Sequence, residues 1–227
     1  DLKREHCVLW GTSLPASVIP NGFETGDWIE HNKARSTLCS EQYPWLAKNS
    51  WVFGHVGRVH PMKNHLGLLQ AFDHVAQVNS RARLVLVGRG TELLDLGMIQ
   101  AKSRVHPLGE REDVQDLMVT FDALVLCSSY GEGFPNVVGE AMLKGLPVIV
   151  TDVGDSALMT GGHGIAVPVN SPSHLYHAMC EVMSWDVKRL ESVRVRSRQH
   201  IVDNYDILAV ADRYEKLWRD LYQQTLS

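Results

Sequence analysis

Two periods of apolar residues organise most of this chain. Short, nearly continuous apolar runs occupy residues 51–57, 83–88, 105–108, 123–127 and 147–151. Runs of that length without polar alternation predict strands buried on both faces of a sheet. Between them apolar residues recur at every third or fourth position, which predicts helices. Residues 64–78 carry Leu68, Leu69, Phe72, Val75 and Ala76 on one face, and further helices are expected at about 91–101, at about 113–119 and from Pro135 onward. Strands alternating with helices predict right-handed β-α-β units, and so an α/β, Rossmann-like fold with a parallel sheet covered by helices on both faces.

Beyond Pro168 the pattern is helical throughout. Ser171-Pro172 reads as a cap and first-turn proline ahead of the stripe Leu175, Ala178, Met179 and Val182, and a polar, arginine-rich helix is expected over about 186–200. The last segment spaces Ile207, Val210, Ala211, Tyr214, Leu217, Trp218 and Leu221 three and four apart, a wide apolar face that needs a partner. Residues 1–49 are the least regular, with Pro15, Pro20, Pro44 and the turn dipeptide Asn21-Gly22. Val18 to Phe23 reads as a short strand and a tight turn in which Gly22 takes a positive backbone angle.

Composition narrows the function classes. The 227 residues are 44% hydrophobic and 21% charged, an ordinary globular balance that can bury a sizeable core. A net charge of −4 gives no electrostatic footprint for nucleic acid, and basic residues interspersed with acidic ones form no polybasic patch. Cys7, Cys39, Cys127 and Cys180 are widely spaced with no Cys-x-x-Cys pair, which predicts reduced thiols rather than a zinc site or a disulfide framework. The apolar runs are too short to span a bilayer and the N-terminus has no secretory pattern, so a cytoplasmic protein is expected.

The chemistry concentrates after the strand at 123–127, in Tyr130-Gly131-Glu132-Gly133-Phe134-Pro135-Asn136-Val137-Val138-Gly139-Glu140-Ala141. Carboxyl ends of parallel strands are where ligands bind in open sheets. Pro135 suits the first helical position. Gly133 and Phe134 offer no side-chain acceptor to a helix start, so the N–H groups of Asn136, Val137 and Val138 are left for an anion, most commonly phosphate. Glu132 stands at the mouth and Glu140 a turn and a half along the helix. A carboxylate accepts two hydrogen bonds side by side and suits a sugar diol. A dipole-favoured glutamate and a second, solvated one would explain the bare pair equally well, but the full string is more specific.

A second loop, Gly57-Arg58-Val59-His60-Pro61-Met62-Lys63-Asn64, joins the first strand to the first helix. Arg58 could fork onto a diphosphate and Lys63 could add a point charge, against the plain alternative of two solvated cations. Gly88-Arg89-Gly90 after the second strand lacks the longer dinucleotide fingerprint. His55, His60 and His65 recur every five residues, which places them on no common face, so no metal site is expected. Asp152-Val153-Gly154-Asp155 lacks Asp-x-Asp spacing. Cys127, at the end of a buried strand, reads as a small core residue.

Glu132, seven residues and Glu140, with Gly-Phe-Pro-Asn inside and Glu-Ala closing, resembles the signature of the retaining glycosyltransferases of family 4, which have the GT-B fold. Val18-Ile19-Pro20-Asn21-Gly22 resembles the family's crossing between domains, and the Arg58 to Lys63 loop is similar to its diphosphate loop. Three motifs in family order cover the chain from about residue 17 to its end. The resemblance implies the C-terminal, donor-binding half of a GT-B fold. Residues 1–16 would be a linker or remnant of an N-terminal domain, 17–204 the nucleotide-sugar domain, and 205–227 a helix directed toward that N-terminal domain.

The implied activity is transfer of a sugar from a UDP-, GDP- or ADP-type donor to a saccharide or lipid-linked acceptor, with retained configuration and no metal or other cofactor. Glu132 would be the catalytic contact to the donor sugar and Glu140 the partner of the ribose diol. Arg58 and Lys63, with Gly57, would hold the diphosphate. Gly133, Phe134 and the N–H groups of Asn136, Val137 and Val138 would line the sugar and phosphate oxygens. Gly88 would lie beside the nucleotide and His106 near its base. Many family members have Gly-Gly-x-x-Glu where this chain has Gly154-Asp155-Ser156-Ala157-Leu158, so that glutamate's task is missing or falls to Asp155. The alternatives are a nucleotide-sugar epimerase of related fold and a non-catalytic nucleotide-binding module. The full-length protein would be cytoplasmic, with peripheral attachment to the inner face of the membrane as a variant of that expectation.

Overall fold

The five apolar runs become strands of a parallel sheet, which among the described residues has a sixth strand at one edge. A computed structural model describes residues 17–26, 43, 45, 46 and 49–226; the linker expected at 1–16, with Pro15, Pro44, Cys7 and Cys39, lies outside the described residues. The strands are β1 (Trp51–Val56), β2 (Ala82–Val87), β3 (Val105–Pro107), β4 (Ala123–Leu126), β5 (Val148–Thr151) and β6 (Ile165–Val167), in the spatial order β3-β2-β1-β4-β5-β6. Phe53 of β1 registers with Leu84 on one side and Ala123 on the other. The order runs outward in both directions from β1 and β4, so their carboxyl ends flank the point where successive connections diverge and a crevice opens.

Successive strand residues face opposite sides of the sheet, and the core divides accordingly. Phe53, Leu84, Leu86, Val125 and Ile149 pack with Leu68, Phe72 and Val75 of α1 (His65–Val78) and with Met179 and Val182 of α5 (Pro172–Ser184). Val52, Val85, Leu124, Leu126 and Val150 pack on the other face with Val138 and Met142 of α3 (Asn136–Leu143) and Ile201 of α6 (Val187–Tyr205). Burying each such side chain is worth about 1.5–3 kcal/mol. Gly54 interrupts β1 because a Cβ there would lie 2.0 Å from the ring of Phe121.

Short helices α2 (Val114–Met118) and α4 (Ser156–Met159) complete the connections, and α7 (Ile207–Leu226) ends the chain. Ser171 and Pro172 sit at the cap and first turn of α5 as expected. Asp186 caps α6 by accepting from the N–H of Arg189 at 2.7 Å. On α7 Val210 is buried while Leu208, Trp218 and Tyr222 are exposed. Among the described residues no helix is long and apolar enough to cross a membrane.

The structure departs from the sequence pattern at several places. Residues expected as a helix at 91–101 form only a 3-10 turn, Thr91–Leu93, followed by turns. Asp95 accepts from the N–H of Gly97 at 2.8 Å, and this local turn competes with the helix. The short edge strand β6 and helix α4 carried no period long enough to read. Gly22 does not take a positive angle. It is glycine because a Cβ would meet Cα of Ile207 at 2.7 Å, where the 17–26 segment crosses the junction of α6 and α7. Phe23 hydrogen-bonds there to Tyr205 and Ile207 through its backbone at 2.8 and 2.9 Å.

Candidate functional site

The loops that follow β1 and β4 face each other across the divergence point. After β1 the chain turns through Pro61–Lys63, capped by His60, whose Nδ1 accepts from the N–H of Met62 at 3.2 Å. Asn64 takes the left-handed conformation, with φ 51°, and its side chain accepts from the N–H of Gly67 at 3.2 Å to start α1. After β4 the loop reaches Glu132. Lys63 Nζ lies 2.6 Å from Glu132 Oε1, with the two side chains 15% and 8% exposed. The Ser128 hydroxyl donates to the same carboxylate oxygen.

The backbone around this pair is closely fitted. Ser129 N–H donates to the carbonyl of Met62 at 2.8 Å. The Cys127 thiol donates to the carbonyl of Lys63 at 3.2 Å, and burial pushes that thiol up to about 12. Gly154, with φ 56°, sits against the Glu132 carbonyl so closely that a Cβ would fall 1.8 Å from its oxygen. Asp155 N–H then donates to the carbonyl of Gly133 at 3.1 Å. Asp155 therefore braces this loop through its backbone, and the Gly154-Asp155 pair that departs from the family pattern lies directly beside Glu132.

The helix start beside Glu132 differs from expectation in detail. Pro135 is the residue before α3, extended at φ −76° and ψ 98°, rather than the first helical residue. Phe134 rests on Phe23 and Tyr205, which fixes how the chain enters the helix. Val138 N–H is used by the Pro135 carbonyl at 3.0 Å, so it is not free for an anion as expected. The N–H groups of Asn136 and Val137 have no partner among the described residues, and no side chain caps this end. The Asn136 side chain instead accepts from Asn21 Nδ2 at 2.8 Å. Glu140, on the flank of α3, accepts from Gln115 Nε2 at 3.0 Å.

Beside β1 and β2 lies a cleft of about 280 Å³ lined by Gly57, Arg58, Gly88, Arg89, Glu110, Arg111 and flanking valines. Its walls interlock through the backbone: Gly57 N–H to Val87, Val59 N–H to Arg89 and Gly88 N–H to Gly109, at 2.7–2.8 Å. Gly88 has φ 140°, and a Cβ there would lie 2.3 Å from the Gly57 carbonyl oxygen, so the close approach of the two loops requires glycine. Arg58 is exposed and has no ion-pair partner among the described residues. Arg89 pairs with Glu110 at 3.1 Å and Arg111 with Asp113 at 2.7 Å, both at the surface. Each partner raises its arginine and lowers its carboxylate relative to ordinary values.

Thus the structure brings Gly57, Arg58 and Gly88 into one cleft and Lys63 and Glu132 into one ion pair. Arg89, Glu110 and Arg111 line the cleft and were not singled out by sequence; Arg89 stood between the two noted glycines, while Glu110 and Arg111 follow a strand whose loop carries no motif. His106 does not line the cleft. It lies on β3 against Trp45, with ring centroids 5.6 Å apart, and burial lowers its pKa. His55 and His65 are buried edge to face at 4.7 Å behind the Lys63 loop. His55 Nδ1–H donates to the Val125 carbonyl at 2.9 Å, and burial lowers its pKa to about 3, so it is neutral. Among the described residues no three His, Cys, Asp or Glu side chains come within reach of one metal ion.

Residues 50–184 match the family described as glycosyl transferases group 1. The chain is 30% identical over 230 residues to the UDP-Gal:alpha-D-GlcNAc-diphosphoundecaprenol alpha-1,3-galactosyltransferase of Escherichia coli, covering 96% of this chain and 58% of that protein. Among solved structures it resembles Anabaena HepE in complex with UDP and glucose, with a TM-score of 0.78 and 22% identity over 90% of this chain and 57% of that one. Sucrose-phosphate synthase of Thermosynechococcus elongatus superposes with a TM-score of 0.79 at 20% identity, over 98% of this chain and 57% of that one. The Rossmann-like fold is shared with these structures, and the chain spans less than two thirds of the length of each of these proteins.

Proposed function

Because the chain belongs to the group 1 glycosyl transferases, we propose that it binds the donor in a family 4 type enzyme. That enzyme moves a sugar from a nucleoside diphosphate to a hydroxyl acceptor with retained configuration. The observation that carries this reading is the meeting of Lys63 and Glu132 at 2.6 Å where the sheet diverges, beside the uncapped start of α3. As the glycosidic bond breaks, negative charge grows on the leaving diphosphate. On this reading Arg58, Lys63 and the N–H groups of Asn136 and Val137 stabilise it. These four groups supply the neutralisation, so no metal or other cofactor is assigned. Glu132 orients the donor sugar through its hydroxyls, and Glu140 receives the ribose diol.

A UDP-type donor is supported by the name of the galactosyltransferase relative and by the UDP bound in the Anabaena structure. The same relative's name supports a lipid-linked saccharide as acceptor. The relatives are longer than this chain, which leaves room for a further domain of the same protein; on this reading that domain is N-terminal and holds the acceptor. Glu132→Ala in the full-length enzyme tests the assignment. Sugar transfer to a polyprenyl-diphosphate saccharide is expected to fall at least about 100-fold with circular dichroism unchanged. Undiminished transfer overturns it.

A further inference from the structure

We infer that Ser128 is a positioning residue that fixes which oxygen of Glu132 faces the donor; the inference rests on the reading of Glu132 as the sugar contact. Ser128 is fully buried two residues past the end of β4. Its hydroxyl donates to Glu132 Oε1, the oxygen that also receives Lys63 Nζ. Its own carbonyl accepts from the hydroxyl of Thr151, buried at the end of β5, at 2.6 Å. The serine is thereby tied to two adjacent strands, and its short side chain has little room to choose another acceptor. Glu132 Oε2 has no hydrogen-bond partner among the described residues.

Lys63 carries its charge on a flexible four-carbon stem, so a diphosphate can draw the ammonium away from Glu132. The terminal torsion of a glutamate is broad and roughly two-fold, and a carboxylate held by that ammonium alone would then be free to turn. Ser128 remains on Oε1 and keeps Oε2 directed at a sugar hydroxyl. The hydroxyl also keeps the mostly buried carboxylate from losing both donors at once.

The test compares nucleotides with nucleotide sugars by calorimetry on this chain. Wild type, Ser128→Ala and Glu132→Gln are titrated with UDP, GDP and ADP and with UDP-galactose, GDP-mannose and ADP-glucose. A hydrogen bond to a charged group sets the expected size: Ser128→Ala weakens the bound nucleotide sugar about 10-fold or more, while the affinity for the matching free nucleotide changes less than about 3-fold. A merely structural role would move both alike. If Ser128→Ala does not fold, Ser128→Cys, similar in size but a weak donor, replaces it with the same expectation. Equal weakening of both ligands, or of neither, overturns the role of Ser128 while leaving Glu132 in place. Unchanged nucleotide-sugar affinity in Glu132→Gln, or no binding by wild type, overturns the reading beneath it.

Discussion

Lys63 Nζ and Glu132 Oε1 lie 2.6 Å apart although the two residues are 69 positions apart in sequence. Both side chains are largely buried, so each charge depends on the other. Removing one partner of such a pair costs about 3 kcal/mol because the remaining charge is left unpaired. Lys63→Met is therefore expected to lower the unfolding free energy in urea by roughly that amount, and Lys63→Met combined with Glu132→Gln to recover a large part of it. A double variant no more stable than the single one would show that the pair is not energetically coupled.

Gly154 is the second sensitive point. Its φ of 56° and the 1.8 Å approach of a built Cβ to the Glu132 carbonyl oxygen leave no room for a side chain. Gly154→Ala is expected to cost about 2 kcal/mol or more in urea unfolding through backbone strain and displacement of the Glu132 loop. A melt unchanged from wild type would mean that the loop gives way without penalty.

Acid should weaken the fold through His55. Its pKa is lowered from 6.5 to about 3, first by burial and then by the neighbouring His65. Below pH 6.5 the unfolded chain takes up a proton that the native site refuses until about pH 3. Stability contributed by the neutral form is therefore complete above the unfolded pKa and is lost as pH falls through it, the slope growing toward about 1.4 kcal/mol per pH unit. Burial lowers His65 and His106 in the same direction. Urea unfolding followed from pH 7 to pH 5 should show this slope, reduced in His55→Asn. A stability independent of pH over that range would contradict a neutral buried imidazole.

Much of this arrangement is legible in the amino-acid sequence. The two-face burial of β1, β2, β4 and β5 made them continuous apolar runs, and the loops carrying Lys63 and Glu132 were identifiable because they follow those strands. What the sequence could not supply was contact between distant segments. Nothing in the letters near Ser128 says that its hydroxyl reaches Glu132, or near Arg89 that it shares a cleft wall with Arg111. Gly22 was read through local turn chemistry when its reason is the approach of Ile207, a partner 185 residues away (207 minus 22). Residues 91–101 failed differently, since helical spacing was present but Asp95 and Gly97 closed a local turn. At α3 the error was one residue: Pro135 precedes the helix, and its carbonyl consumes the N–H of Val138.

Calorimetric titration of this chain with UDP, GDP and ADP shows directly whether the cleft at Arg58 and the adjoining loops after β1 and β4 bind a nucleoside diphosphate. Arg58 is exposed and unpaired among the described residues, so Arg58→Ala should leave stability within about 0.5 kcal/mol of wild type. The same change should weaken nucleotide binding about 10-fold or more by removing a charge-assisted contact to phosphate. Glu140→Ala, which removes the carboxylate assigned to the ribose, should weaken it by a similar factor. Saturable binding of one nucleotide, weakened by both changes in a folded chain, is the result expected. Absence of binding to all three, or binding indifferent to both changes, would contradict it.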